Sequence, residues 1–287
     1  MRLKAKTAIV SDSALSLPRD VAGEYGLYIV PMKLTFQGRT YLDGYDLEPS
    51  EFYRLLRTSD SLPVTSAPDP GSFLEVFSRA SDNAEGILCL TVASRLSASY
   101  QSAKVALEMA KESLPNTPIT LLDSGSAAGG QALIALESAG AALRGHDLEH
   151  VTQAAQRVIQ KVRVIAFLDT LFYLWKGGRV PKVALWATSI IKMKPIMELF
   201  QGEVHLIERP RTRSHAVGRL IDIMHKHVGK ADLHVAVMHA DDIVGAEELK
   251  ENIASDFHYK ELIISEFTPV MGAHTGPGLL GLAFWSE

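Results

Sequence analysis

Three short apolar runs, TAIVSDS, GILCLTV and PITLLDS, each give way to serines and small residues and then to a helical pattern. A short continuous apolar run bounded by turn residues suits a strand buried on both faces. Strands separated by helices pair in parallel, with the helices covering the sheet. The first half of the chain is therefore predicted to be a parallel α/β layer structure. Helices are expected in PSEFYRLLRTS from Pro49, in DPGSFLEVFSRAS from Asp69 and Pro70, and in SRLSASYQSAKVALEMAKESL after a loop. In the last of these, Leu107 and Ala110 share one face and Glu108 and Lys111 the other. GQALIALESAGAALRG and DLEHVTQAAQRVIQKVR form two more helices, parted at Gly145. YIVPMKLTF reads as one further strand, and QGRTYLDGYDLEP as too mixed for core.

The character changes near KVRV, which places a domain boundary there: residues 1–160 and residues 161–287. VIAFLDT, LHVAVMHA, ELIISEF and LLGLAFW are strand candidates. LFYLWKGGRV is a helix cut at Gly177 and Gly178, and KPIMELFQGEVHLIE is a hairpin turning at Gln201-Gly202. Helices are expected over SHAVGRLIDIMHKHVG and from Val244 to Ser255.

With a net charge of −4 the chain has no broad attraction for nucleic acid or anionic membrane. Its single cysteine, Cys89, sits inside an apolar run and reads as a small buried hydrophobe. The first residues are too polar for a signal peptide. The stretch from Phe267 to Ser286 has no charged residue, but Pro269, Pro277 and its glycines argue against a membrane span. A soluble cytoplasmic protein is expected.

The spacing of the ten histidines suggests no metal site. His225 and His227 diverge by about 200° on a helix, and His146 and His150 have no completing ligand. Walker, dinucleotide and nucleophile-elbow motifs are missing. What stands out is a set of hydroxyl-rich loops, SDSALSLP, VTSAPDPG, VASRLSASYQS and LLDSGSAAGGQ, and the late GAHTGPG with His274. Loops at the carboxyl ends of parallel strands line a ligand crevice. Their serines serve equally as helix caps. Hydroxyls beside Ala93, Ala98, Ala127, Ala128, Gly129 and Gly130 suit a ligand with a polar head and an apolar body. For His274, a satisfied core histidine and a ligand contact both stay open at this level.

Taken in order, AIVSDS, YGLYIVPMKLTF, LPVTSAPDPGSF, SRLSASYQSA, LLDSGSAAGG, LDTLFYLWKGGRV, IIKMKPIMEL, RPRTRSHA and PVMGAHTGPGLLGLAF resemble the DegV family of bacterial fatty-acid-binding proteins. The resemblance spans nearly the whole chain. It implies a two-domain α/β fold: a Rossmann-like N-terminal domain with a parallel sheet, a C-terminal α/β domain carrying the GAHTG loop, and a ligand tunnel at their interface. It also implies a non-enzymatic carrier of one long-chain fatty acid, roughly C14–C18, with no cofactor or metal. Its partner would be an ATP-dependent fatty acid kinase, whose acyl phosphate feeds phospholipid synthesis. By this likeness Thr65, Ser97 and His274 hold the carboxylate, Ser66, Ser94 and Thr275 stand beside them, and Arg179 and Arg211 serve the partner or the phosphate. Arg95, Ala98, Ala67 and Pro210 depart from the family's usual residues, and Arg95 adds a cation beside the head-group site.

Two other readings are open. One is a phosphotransfer or hydrolytic enzyme using His274. The other is a carrier of some other amphiphilic lipid. Met193, Met197 and Met224 are expected in the core rather than in a tunnel wall.

Overall fold

The computed structural model describes residues 4–183, 193–228 and 232–287. Part of one stretch that carries the resemblance, IIKMKPIMEL, lies outside them at residues 190–192. Strands β1 (Ala5–Asp12), β2 (Tyr28–Val30), β6 (Ala84–Thr91) and β7 (Ile119–Asp123) form a parallel sheet in the order β2-β1-β6-β7. Side chains alternate between its faces. Ala8, Val10, Ile87 and Cys89 meet helices α3 (Pro70–Ser81) and α4 (Ser99–Ser113). Ile9, Leu88 and Leu90 face α5 (Gly129–Leu143) and α6 (Leu148–Lys161). Asp69 caps α3, its carboxylate accepting from Ser72 N at 3.0 Å. The order places the topological switch between β1 and β6, so the loops after them flank a crevice.

A second, mixed sheet runs β10-β9-β8-β13-β11-β12. Its strands are β8 (Arg163–Phe167), β9 (Ile196–Phe200), β10 (Glu203–Glu208), β11 (Leu233–His239), β12 (Tyr259–Glu266) and β13 (Leu280–Ser286). Only β11 and β12 pair in parallel; the other neighbours are antiparallel. One face, with Ile165, Phe167, Ile196, Val235 and Val237, packs on α8 (Arg213–His227) and α9 (Ile243–Asp256). The other face, with Val164, Ala166, Met197 and Leu199, turns toward α5. Helix α5 lies between the sheets and is buried almost all round, which its composition of Ala, Leu, Ile and Gly permits. A Cβ on Gly130 would overlap Ser126 Oγ and Val164, so this position needs glycine for close approach.

The β9–β10 turn is as expected. Gln201 and Gly202 both have positive φ, 48° and 76°, the two-residue turn that matches strand twist. Gly202 N donates to Gly125 O at 2.6 Å, which seats the hairpin tip on the loop after β7.

Four expectations are corrected. YIVPMKLTF is two strands, not one. Pro31 separates β2 from β3 (Lys33–Phe36), which joins a small antiparallel sheet with β4 (Arg39–Leu42) and β5 (Val64–Ser66), order β4-β3-β5. VTS is therefore a strand, not a loop, and the segment read as too polar for core contains β4 and the buried Asp43 and Leu47. The GAHTG stretch is not a loop. Its Gly272 to Thr275 close a short helix, α10 (Pro269–Thr275), despite the glycine. Three further helices are α1 (Arg19–Glu24), α2 (Pro49–Thr58) and α7 (Phe172–Gly177). Cys89 is fully buried. Among the described residues no helix is long and apolar enough to cross a membrane.

Candidate functional site

A cavity of about 810 Å³ lies between the carboxyl-end loops of the first sheet and the inner face of the second. Its apolar wall follows from strand alternation. Val164 and Ala166 of β8 pair across strands with Leu199 and Met197 of β9, and Leu199 pairs with Val204 of β10. Every second residue thus faces the cavity. Ala14, Ala127 and Ala128 line the opposite side, where small side chains leave room. Ala128 holds a positive φ of 47°, a strained backbone for a residue with a Cβ.

The polar wall is assembled from three distant segments. Thr65 is the middle residue of β5; its register opposite Leu34 turns it inward, 7% exposed, while Val64 and Ser66 stay exposed. His274 stands in the last turn of α10, with Nε2 2.8 Å from Thr65 Oγ1. Gly178 caps α7 at φ 68°, which turns the chain so that Arg179 reaches back. Arg179 Nη2 donates to Thr65 O at 3.3 Å and lies 3.5 Å from Thr65 Oγ1, and Nη1 donates to Gly177 O at 2.7 Å. Burial, and then the Arg179 cation, push His274 down to about 4. The imidazole is neutral at pH 7 and has at most one ring proton to donate. Its Nδ1 is buried without a partner among the described residues and faces Gly177, where a Cβ would come within 2.6 Å.

The remaining expected residues fall in different places. Ser66, Ser94, Ser97 and Thr275 line the same cavity. Ser97 Oγ accepts from Ser99 N at 3.2 Å at the start of α4, and Ser94 N donates to the Asp123 carboxylate. The Thr275 hydroxyl donates back to Met271 O at 3.2 Å. Arg211 is exposed ahead of α8 and lies outside the cavity lining. Arg95 lines the cavity, but its guanidinium pairs with Glu203 on the hairpin. Among the methionines, Met197 lines the wall, against expectation, whereas Met224 packs in the core beneath α8. The wall residues of β8 to β10 escaped the reading of the sequence; their period-two pattern was the available signal.

The geometry agrees with known proteins along the whole chain. A family model described as "Uncharacterised protein, DegV family" matches residues 6–287. A DegV domain-containing protein of Caldanaerobacter subterraneus is 30% identical, over 97% of this chain and 98% of its own length. One from Streptomyces coelicolor is 31% identical, over 98% of each chain. The fold superposes on a DegV family protein from Thermus thermophilus described as fatty acid binding, with a TM-score of 0.90, 26% identity, and 98% and 100% of the two chains covered. It also superposes on a stearic-acid-binding protein from Eubacterium ventriosum, with a TM-score of 0.89, 26% identity, and 99% and 98% coverage. A matching model from residue 6 to the last residue, with relatives aligned end to end, makes this chain a member of the DegV family.

Proposed function

We propose that this chain binds one long-chain fatty acid, its acyl chain in the apolar cavity and its carboxylate at Thr65, Ser97 and His274. Ser66, Ser94 and Thr275 border that head group. The observation that carries the reading is the contact of Thr65, His274 and Arg179 at the edge of a large apolar cavity. A carboxylate leaving water is costly unless it is hydrogen-bonded or neutralised. Hydroxyls, one imidazole N–H and a nearby guanidinium supply that compensation, and bonds to a charged group are the stronger kind. The acyl chain contributes most of the affinity: at about 0.8 kcal/mol per CH₂, the apolar carbons of a C16 acid give a gross gain of about 12 kcal/mol. The fatty acid binding described for relatives of the same fold supports the same ligand class.

In this reading the protein is a non-catalytic carrier. It presents the carboxylate to an ATP-dependent fatty acid kinase in the cytoplasm, and the acyl phosphate passes to phospholipid synthesis. Arg179, beside the head group, and Arg211, on the surface, serve the partner or the transferred phosphate. Residues 1–160 and 161–287 act as two domains that clasp the ligand, with the carboxyl-end loops on the first and His274 on the second.

Denaturing extraction of freshly purified protein followed by mass spectrometry tests the ligand. The expected result is about one equivalent of an acid of roughly C14–C18. No acid, and none taken up on addition, overturns the reading; a different amphiphile identifies another lipid carrier. Acyl-phosphate formation from ATP by a purified fatty acid kinase, with and without this protein, tests the partner. Turnover of a soluble acceptor by the isolated chain, lost in His274→Ala, would instead establish an enzyme.

A further inference from the structure

Asp43 lies in the loop between β4 and α2 and is 1% exposed. Its side chain is not in the cavity lining, yet its hydrogen bonds join three segments that are. Oδ2 accepts from Ser13 Oγ at 2.6 Å, just after β1. Oδ1 accepts from Val270 N at 3.0 Å, in the first turn of α10. Its own N–H donates to Met32 O at 2.9 Å, and Met32 N donates to Ser13 Oγ at 3.1 Å. Ala14, Met32 and Val270 all line the cavity. Val270 and His274 are four residues apart and share one face of α10.

All of the recorded donors to the Asp43 carboxylate are neutral, and no cation pairs with it among the described residues. Burial raises its pKa to about 6, and the neighbouring buried carboxylate Asp12 adds to the rise. Arg19 and Arg79 line the small pocket on its outer side. A carboxyl group held so expensively needs a reason beyond packing. The orientation of α10 supplies one. The helix has only seven residues, too few to be stable alone. It is held besides by Ser16, whose Oγ accepts from Thr268 N at 3.4 Å, and by Tyr53, whose Oη donates to Phe267 O at 3.2 Å and whose hydroxyl would come within 2.5 Å of a Cβ on Gly272.

We propose that Asp43 is the positioning residue for His274: by fixing the start of α10 it sets the His274–Thr65 contact, and so makes the site select a carboxylate over an acyl chain alone. The selectivity half of this rests on the fatty acid reading above; the positioning half does not.

Two measurements test it. The first needs no ligand: His274 ring resonances are followed by NMR against pH in the wild type, Asp43→Asn and Asp43→Ala. The wild type is expected to titrate near pH 4. Asp43→Asn, which keeps an acceptor for Val270 N, is expected to stay close to that. Asp43→Ala is expected to shift toward the ordinary histidine range as the ring leaves Arg179 and gains water. If Asp43→Ala fails to fold, Ser13→Ala removes one of the two donors and is expected to shift in the same direction by less. An unchanged His274 titration in folded Asp43→Ala, or in Ser13→Ala where that variant stands in for it, overturns the proposal. The second measurement compares dissociation constants for palmitate and methyl palmitate. The expected outcome is a loss of about tenfold in acid-over-ester preference in Asp43→Ala, with ester binding within about twofold. Equal losses for both ligands would show a merely structural role and overturn the positioning claim. A wild type that binds neither ligand defeats the fatty acid reading, while the titration still decides Asp43.

Discussion

The two walls of the cavity are built by different means. The apolar wall comes from one sheet face, where Val164, Ala166, Met197, Leu199 and Val204 are held by continuous backbone pairing. The polar wall has no such frame. Thr65, Arg179 and His274 come from a three-residue edge strand, a helix end and a seven-residue helix, and they are joined through their side chains and the Arg179 bond to Thr65 O rather than by pairing with one another. A wall made by a sheet tolerates the loss of one side chain, because its neighbours keep their register. A wall made by convergence does not, since each member depends on how another segment is held. Affinity should therefore be distributed over the first wall, and orientation concentrated in the second.

The largest effect expected is from breaking the apolar wall with a charge. Leu199→Asp places an unpaired carboxylate where the acyl chain would lie. Palmitate affinity is expected to fall about a thousandfold, for acid and methyl ester alike. Calorimetric titration reads both. An equal loss confined to the acid would mean that the chain does not lie on this wall.

Next in size is the polar wall. Thr65→Ala with Ser97→Ala is expected to weaken palmitate about ten- to hundredfold, leave methyl palmitate within about twofold, and slow acyl-phosphate formation by the kinase. The substitutions remove hydroxyls without touching the sheet face. Unchanged acid affinity and normal acyl-phosphate formation would show that the carboxylate binds elsewhere.

Smaller again is the proton balance of His274 in the ligand-free protein. Its pKa is about 4 when folded, against an ordinary value of 6.5. As pH falls from 6.5 toward 4 the unfolded chain takes up a proton that the folded one refuses, so the folded state loses stability over that window. Relative to His274→Gln, the wild type is expected to lose on the order of 2–3 kcal/mol between these limits, read by urea unfolding at several pH values. Parallel curves for the two proteins would mean that the ring is accessible to water and uncoupled from Arg179.

The same contrast explains what was legible in the sequence. β1 and β6 announce themselves because a doubly buried strand needs a continuous apolar run, and β7, half-buried at the sheet edge, keeps the same short apolar pattern. The Gln201-Gly202 turn is equally local, since only a few residue pairs accept two positive φ angles. β5 was hidden. It has three residues between Pro63 and Pro68, and it becomes a strand only because β3 lies beside it. α10 was hidden too: Gly272 and Pro277 read as loop, while the helix is stabilised by Tyr53 and Asp43, more than two hundred positions away. No spacing in the sequence joins Thr65 to His274, and only the family resemblance grouped them. Arg211, grouped with Arg179 on the same grounds, is outside the cavity lining.

Arg95 gives the finest test of where the polar wall ends. It stands beside Ser94 and Ser97 in the loop after β6, and its position alone would suggest a second cation for the carboxylate. Its guanidinium instead meets Glu203, which it holds below the usual carboxylate range, and its stem covers Gly202 at the hairpin tip. Both partners are exposed, so the pair is screened by salt and adds little to stability. Arg95→Gly is therefore expected to change palmitate affinity by less than about twofold at physiological ionic strength. Its acid-over-ester preference should equal that of the wild type if, as proposed, the cation beside the head group is Arg179. A clear loss of that preference, growing as salt is lowered, would show that Arg95 leaves Glu203 when ligand arrives. It would also extend the convergent wall across to the hairpin, where the two kinds of wall meet.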